Sequence, residues 1–119
     1  MIQIVESPRD AMQGISKFIS TKKKIDYINS LLKVGYHTID FGSFVSPKFM
    51  SQMRDSEEVL SNIEIGKSNT KLLSIVANKK GADLACSFNK IDYLGFPFSV
   101  SEIFQKKKLK KLHILNVIY

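Results

Sequence analysis

At 119 residues the chain fits one domain, and folding would bury roughly 65% of the unfolded surface, enough for one core and not two. Hydrophobic residues at 44% and charged residues at 24% exclude a disordered chain, and no apolar run approaches the roughly 20 residues that span a bilayer. Eighteen Lys and Arg against eleven Asp and Glu give a net charge of +7, but five of the lysines sit in the closing "QKKKLKKLHILNVIY" and three in "TKKKID". The body is only mildly basic, so a nucleic-acid surface is not the expectation.

The opening "MIQIVESPRD" lacks the basic region, long apolar stretch and cleavage site of a secretory signal, which makes the cytoplasm the expected location. A single cysteine, Cys86, excludes an internal disulfide and agrees with a reducing compartment. In "LACSF" it reads as a small apolar residue on a helix rather than a nucleophile.

Residues 2–5, "IQIV", alternate as a short strand does, and a charged turn, "ESPRD", follows. From Ser20, "STKKKIDYINSLLKVG" offers a hydroxyl cap, Ile25, Ile28, Leu31 and Leu32 at helical spacing, and Gly35 as the stop. "YHTIDFGS", residues 36–43, is rich in β-branched and aromatic types and predicts a second strand. After a loop, Asp55 and Glu58 have the spacing of a capping box for a helix that turns Val59, Leu60 and Ile63 inward. "TKLLSIVAN", residues 70–78, is nearly continuous apolar text, as in a parallel strand covered on both faces. Asn78 then caps a third helix, "KKGADLACSF", and "IDYLGFPF" supplies a fourth strand. Strands alternating with helices imply right-handed βαβ units and a parallel sheet.

In such a sheet the C-terminal ends of all strands open on one edge, where ligand sites are built from the loops. That edge collects Arg9, Asp10 and Gln13 after the first strand, Asp40 and Ser43 on the second, Asn78 after the third, and Ser99, Ser101, Glu102 and Gln105 after the fourth. Neighbouring strands lie about 4.8 Å apart, so Asp10 and Asp40 can face one pocket, where they repel unless a cation joins them. Arg9 is one candidate; a hard ion such as Mg²⁺ or Mn²⁺, suited to carboxylate oxygens, is another. Arg9 and Asp10 simply pairing in a turn is the third reading.

"VESPRDAMQG" followed by "TIDFGSFVSPKFMSQMRDSEEVL" resembles the start of the hydroxymethylglutaryl-CoA lyases, within the wider group of metal-dependent (β/α)₈-barrel lyases and Claisen-type synthases. The likeness runs from Ile2 to Gln105 and includes "YLGFPFSVSEIFQ". It implies an α/β fold in which parallel βα units form the first four strands of a (β/α)₈ barrel, with a divergent basic tail at 106–119. It also implies cleavage of 3-hydroxy-3-methylglutaryl-CoA to acetoacetate and acetyl-CoA, a divalent cation as cofactor, and an acyl-CoA thioester as partner. Carried onto matching letters, Asp10 becomes a metal-binding carboxylate, Arg9 the cation that steadies the enolate oxygen, and Gln13 a neighbour of metal and substrate. Asp40 takes the place of an active-site glutamate, one methylene shorter. The turn before the proline is one residue shorter than the lyase form, and Ala11-Met12 replaces glycine-leucine.

A full barrel needs about 250 residues, and the family's His-x-His pair, asparagine ligand and catalytic cysteine loop have no counterpart among these residues. His37 and His113, the two histidines, do not form that pair. The chain alone is therefore expected to be inactive, and an open half-barrel is expected to self-associate through its sheet edges. The tail reads as a truncation or frameshift product, as a basic amphipathic helix, or as a solvated end. A rival reading of the whole chain is a non-catalytic basic α/β module that holds a polyanion through its lysines.

Overall fold

The computed structural model describes residues 1–101 and Ile103. Four strands, β1 (Val5–Glu6), β2 (Thr38–Ser43), β3 (Lys71–Ile75) and β4 (Tyr93–Gly95), form one sheet in the order β1-β2-β3-β4. Every neighbouring pair is parallel. Helices α1 (Pro8–Gln13), α2 (Thr21–Leu32), α3 (Ser56–Asn62) and α4 (Lys79–Cys86) fill the connections. The alternation expected from the sequence is present, with strand order following chain order as in the wall of a barrel.

The core lies between the sheet and α2 and α3. Ile28, Leu31 and Leu32 of α2 meet Ile39, Phe41 and Leu72 of the sheet and Val59, Leu60 and Ile63 from α3 and its end, all buried. Ile25 is only partly buried at the margin of this cluster. Helix α2 starts where the Ser20 hydroxyl accepts the Lys23 N–H, and the turn after it uses Gly35 at φ 87°, a conformation that favours glycine. Asn78 caps α4 as expected, its side chain accepting from the Gly81 N–H at 2.8 Å.

Several expectations need correction. The charged turn after the first strand is helix α1, with Pro8 at its first turn, where proline's missing N–H costs nothing. The first strand is Val5–Glu6 rather than 2–5, and Ile2, Ile4 and Val5 are exposed along the sheet edge. β4 shrinks to three residues, with Tyr93 and Leu94 exposed. β3 is not covered on both faces: Leu72 and Ser74 are buried against the helices, whereas Leu73 and Ile75 are half-buried on the other side. No second wall lies across that side among the described residues. Cys86 is exposed rather than packed.

Asp55 stands at the N-cap of α3 but its side chain caps nothing, so the capping box does not form. The carboxylate turns to α2 instead, accepting from Lys24 Nζ at 2.6 Å and Thr21 Oγ1 at 2.9 Å. Lys24 is 2% exposed. A charge removed from water to that extent persists only when paired, and a competing buried cation outbids an N-cap for the same carboxylate. The Ser56 hydroxyl, accepting the Ser43 N–H at 3.0 Å and donating to Met53 O at 2.8 Å, joins α3 to β2. Gly42 permits that approach, since a Cβ there would stand 2.8 Å from Ser56 Oγ.

Candidate active site

Register explains how the first loop reaches the second strand. Glu6, the last residue of β1, pairs with Ile39, so the next residue of β2, Asp40, lies level with the entry to α1. Immediately beyond Asp40 the β2–β3 register shifts, a bulge of the sort that redirects side chains beside sites.

Arg9 occupies the resulting corner with its side chain 13% exposed. Its Nη2 donates to Asp40 Oδ2 at 2.6 Å and its Nε to the two Asp40 oxygens at 3.0 and 3.3 Å, the fork-on-carboxylate geometry that guanidinium favours. The remaining Nη1 donates to Gln13 Oε1 at 2.8 Å and Asp10 Oδ1 at 3.0 Å. Gln13 lies four residues after Arg9, one helical turn away, which is why α1 can bring both to one guanidinium. All four residues singled out by sequence therefore converge. Arg9 pairs with Asp10, as in the turn-pairing reading, and also joins Asp10 to Asp40.

The two carboxylates are in different states. Asp10 is 71% exposed and Asp40 6%. Burial pushes the Asp40 carboxyl above its ordinary pKa; the hydrogen bonds and charge of Arg9 pull it down and the nearby Asp10 charge adds a little upward, with burial prevailing. Asp40 is thus held ready to take a proton at a higher pH than a free aspartate.

The other polar residues of the rim do not join this cluster. Ser43 Oγ donates to Ile75 O at 3.2 Å and accepts from the Val45 N–H at 3.1 Å; Asn78 is spent on its helix cap; Ser99 Oγ accepts from the Ser101 N–H at 3.1 Å. Glu102, Gln105, His113 and the basic tail at 106–119 lie outside the described residues. His37 is paired with Thr38, Nδ1 to Oγ1 at 2.8 Å, in the stretch that enters β2. A cleft of about 500 Å³ between α2 and residues 64–68 holds both signs of charge and none of the four rim residues.

Asp10 and Gln13 carry the oxygen atoms that a hard cation would draw on here. Asp10 has an exposed carboxylate with one oxygen engaged by Arg9, and Gln13 contributes an amide oxygen that Arg9 also uses. Among the described residues no three His, Cys, Asp or Glu side chains group around one point. Asp10 fits a single ligand of a divalent ion, and the described residues do not complete its coordination.

Comparison with known proteins gives a consistent relationship. No protein-family model matches the chain. It is 36% identical to the mitochondrial hydroxymethylglutaryl-CoA lyase of Macaca fascicularis over 91% of its own length and 33% of that protein. It is 33% identical to hydroxymethylglutaryl-CoA lyase YngG of Bacillus subtilis over 93% of its length and 38% of the relative's. The structure of an HMG-CoA lyase from Acinetobacter baumannii, in complex with coenzyme A and 3-methylmalate, superposes with a TM-score of 0.86 at 34% identity, covering 93% of this chain and 36% of that one. The chain thus spans about a third of the length of the relatives it matches. The fold expectation holds: four parallel strands alternating with helices match the N-terminal part of the (β/α)₈ barrel.

Proposed function

We propose that this chain, a homologue of the N-terminal part of the hydroxymethylglutaryl-CoA lyases, carries the enolate-stabilising corner of an enzyme that cleaves 3-hydroxy-3-methylglutaryl-CoA to acetoacetate and acetyl-CoA. In that reaction the C3 hydroxyl gives up its proton, the C2–C3 bond breaks, and its electron pair passes to the thioester, leaving a ketone and an enolate that is then protonated. The developing negative oxygen needs a fixed positive donor. Arg9 meets that need, since it keeps its charge at every working pH and its side chain is already oriented. Gln13 and Asp40 orient the guanidinium from two sides, and Asp40, its pKa raised by burial, is suited to exchanging a proton. A Mg²⁺ or Mn²⁺ ion would polarise the substrate oxygens, and Asp10 would offer it one carboxylate oxygen. The observation that carries this reading is the convergence of Asp40, Asp10 and Gln13 on the one guanidinium of Arg9.

The cytoplasm is the location we assign, on the single cysteine; no helix among the described residues is long and apolar enough to cross a membrane. By itself the chain is inactive in this proposal, because among the described residues no three metal-binding side chains group around one point. Its edge strands β1 and β4, with Val5, Tyr93 and Leu94 exposed, favour association with a second copy. Sedimentation at rising concentration should show that association.

Coenzyme A titration followed by amide and side-chain NMR tests the functional reading. Perturbations at Arg9, Asp10 and Asp40 that vanish in Arg9→Ala are expected. Perturbations confined to surface lysines and erased by moderate salt would favour the polyanion-binding module instead.

A further inference from the structure

Helix α1 has little to hold itself in place. It has six residues, no side-chain N-cap bond, and a two-residue edge strand before it, far below the roughly 12–15 residues at which an isolated helix is even marginally stable. Its front is fixed by Arg9 on Asp40. Its rear runs into residues 15–19, and there a buried amide takes over. Gln52, 5% exposed in the 3₁₀ turn Ser51–Met53, accepts the Ile19 N–H at 2.9 Å and donates to Ile15 O at 2.9 Å and Lys17 O at 3.1 Å. Both of its N–H donors and its oxygen are spent on one backbone segment.

Gln52 is itself anchored. Buried Lys24 donates to the Gln52 carbonyl and to Asp55. The Lys24 ammonium and the Arg54 guanidinium lie 4.1 and 3.6 Å from the ring centroid of Phe18, in the same segment. Helix α1 also lies against the 3₁₀ turn, and Met12 and Met53 are both buried. Apolar packing resists separation but tolerates sliding, whereas three directional hydrogen bonds fix where a segment lies.

We infer that Gln52 is a positioning residue for Arg9, acting through residues 15–19 to fix the end of α1 and so the place of the guanidinium against Asp40. Its catalytic meaning rests on the lyase reading above, but its physical content does not.

The test is hydrogen exchange by NMR on the full chain, reading the Arg9 Nε–H that bonds Asp40. In Gln52→Ala that proton should exchange with water about tenfold faster or more, while the amides of Ile28 and Ile39 keep their protection. Gln52→Asn, which keeps the amide but is one methylene too short to reach all three backbone groups, should give a smaller rise and decides the matter if the alanine variant does not fold. An unchanged Arg9 Nε–H in a folded variant would overturn the inference. So would Arg9 and the core amides losing protection together, or both variants failing to fold, since either makes Gln52 a core residue and nothing more. Failure of coenzyme A to reach the rim would remove the lyase reading and leave this readout intact.

Discussion

Asp40 and Asp92 are carboxylates on one sheet, Asp40 within β2 and Asp92 just before β4, and the protein treats them differently. Asp92, at the end where β3 and β4 begin, accepts the Leu72 N–H at 2.9 Å and Lys71 Nζ at 3.0 Å with its side chain a third exposed. Burial would raise its pKa, but the backbone N–H and the lysine together bring it below the ordinary value. Asp40, two strands away in β2, also meets a cation, yet burial wins and its pKa rises. The first arrangement serves stability, because the charged form is the favoured one. The second withholds solvation from a charge and keeps it in place, the kind of tension that collects at sites rather than in scaffolds.

The largest effect should come from breaking the rim. Arg9→Ala leaves a buried carboxylate without its cation and is expected to cost about 2–3 kcal/mol at neutral pH, read by chemical denaturation. Part of that loss should return on acidification, since Asp40 can then take a proton. Asp92→Ala removes one acceptor from the Leu72 N–H at a partly wet site and should cost about 1 kcal/mol. Lys71→Ala, at an exposed position, should fall within the error of the same measurement.

The pH dependence sharpens the contrast because the signs oppose. A raised pKa means that Asp40 contributes stability fully below its unfolded pKa, lost as pH climbs through the higher folded value. A lowered pKa means that Asp92 contributes stability above its unfolded pKa, lost as pH falls through the lower folded value. Asp40→Asn should therefore gain on the parent as pH rises from about 4 toward neutrality, and Asp92→Asn should gain on the parent as pH falls through the acid range. Paired denaturation curves across pH check both.

Much of this was legible in the sequence, for identifiable reasons. Helix α2 has a hydroxyl cap, a helical apolar stripe and a glycine stop that agree with one another, and β2 and β3 are dense in strand formers, so local signals and tertiary demands coincide. That Arg9, Asp10, Gln13 and Asp40 share one edge followed from parallel topology, because that topology puts loop one beside strand two; which rim residues would meet did not, since Ser43, Asn78 and Ser99 share the edge and turn elsewhere. Helix α1 was obscured by its brevity; Pro8 at a first turn was the one available sign. Asp55 was misread because the spacing to Glu58 fits a local cap, while the stronger partner, Lys24, comes from another helix 31 residues away. Lys24 gave no warning at all, and Gln52 lay within the stretch that carries the lyase resemblance without any sign of its burial. A lysine in "TKKKID" looks like its exposed neighbours, and only the fold decides which of the three is buried.

The most direct test is a ¹³C carboxyl titration that follows Asp40 and Asp92 in the same spectra. A midpoint for Asp40 above the ordinary carboxylate value and one for Asp92 below it are expected. Coincident midpoints, or the reverse order, would show that the Arg9 corner does not hold a buried, strained carboxylate.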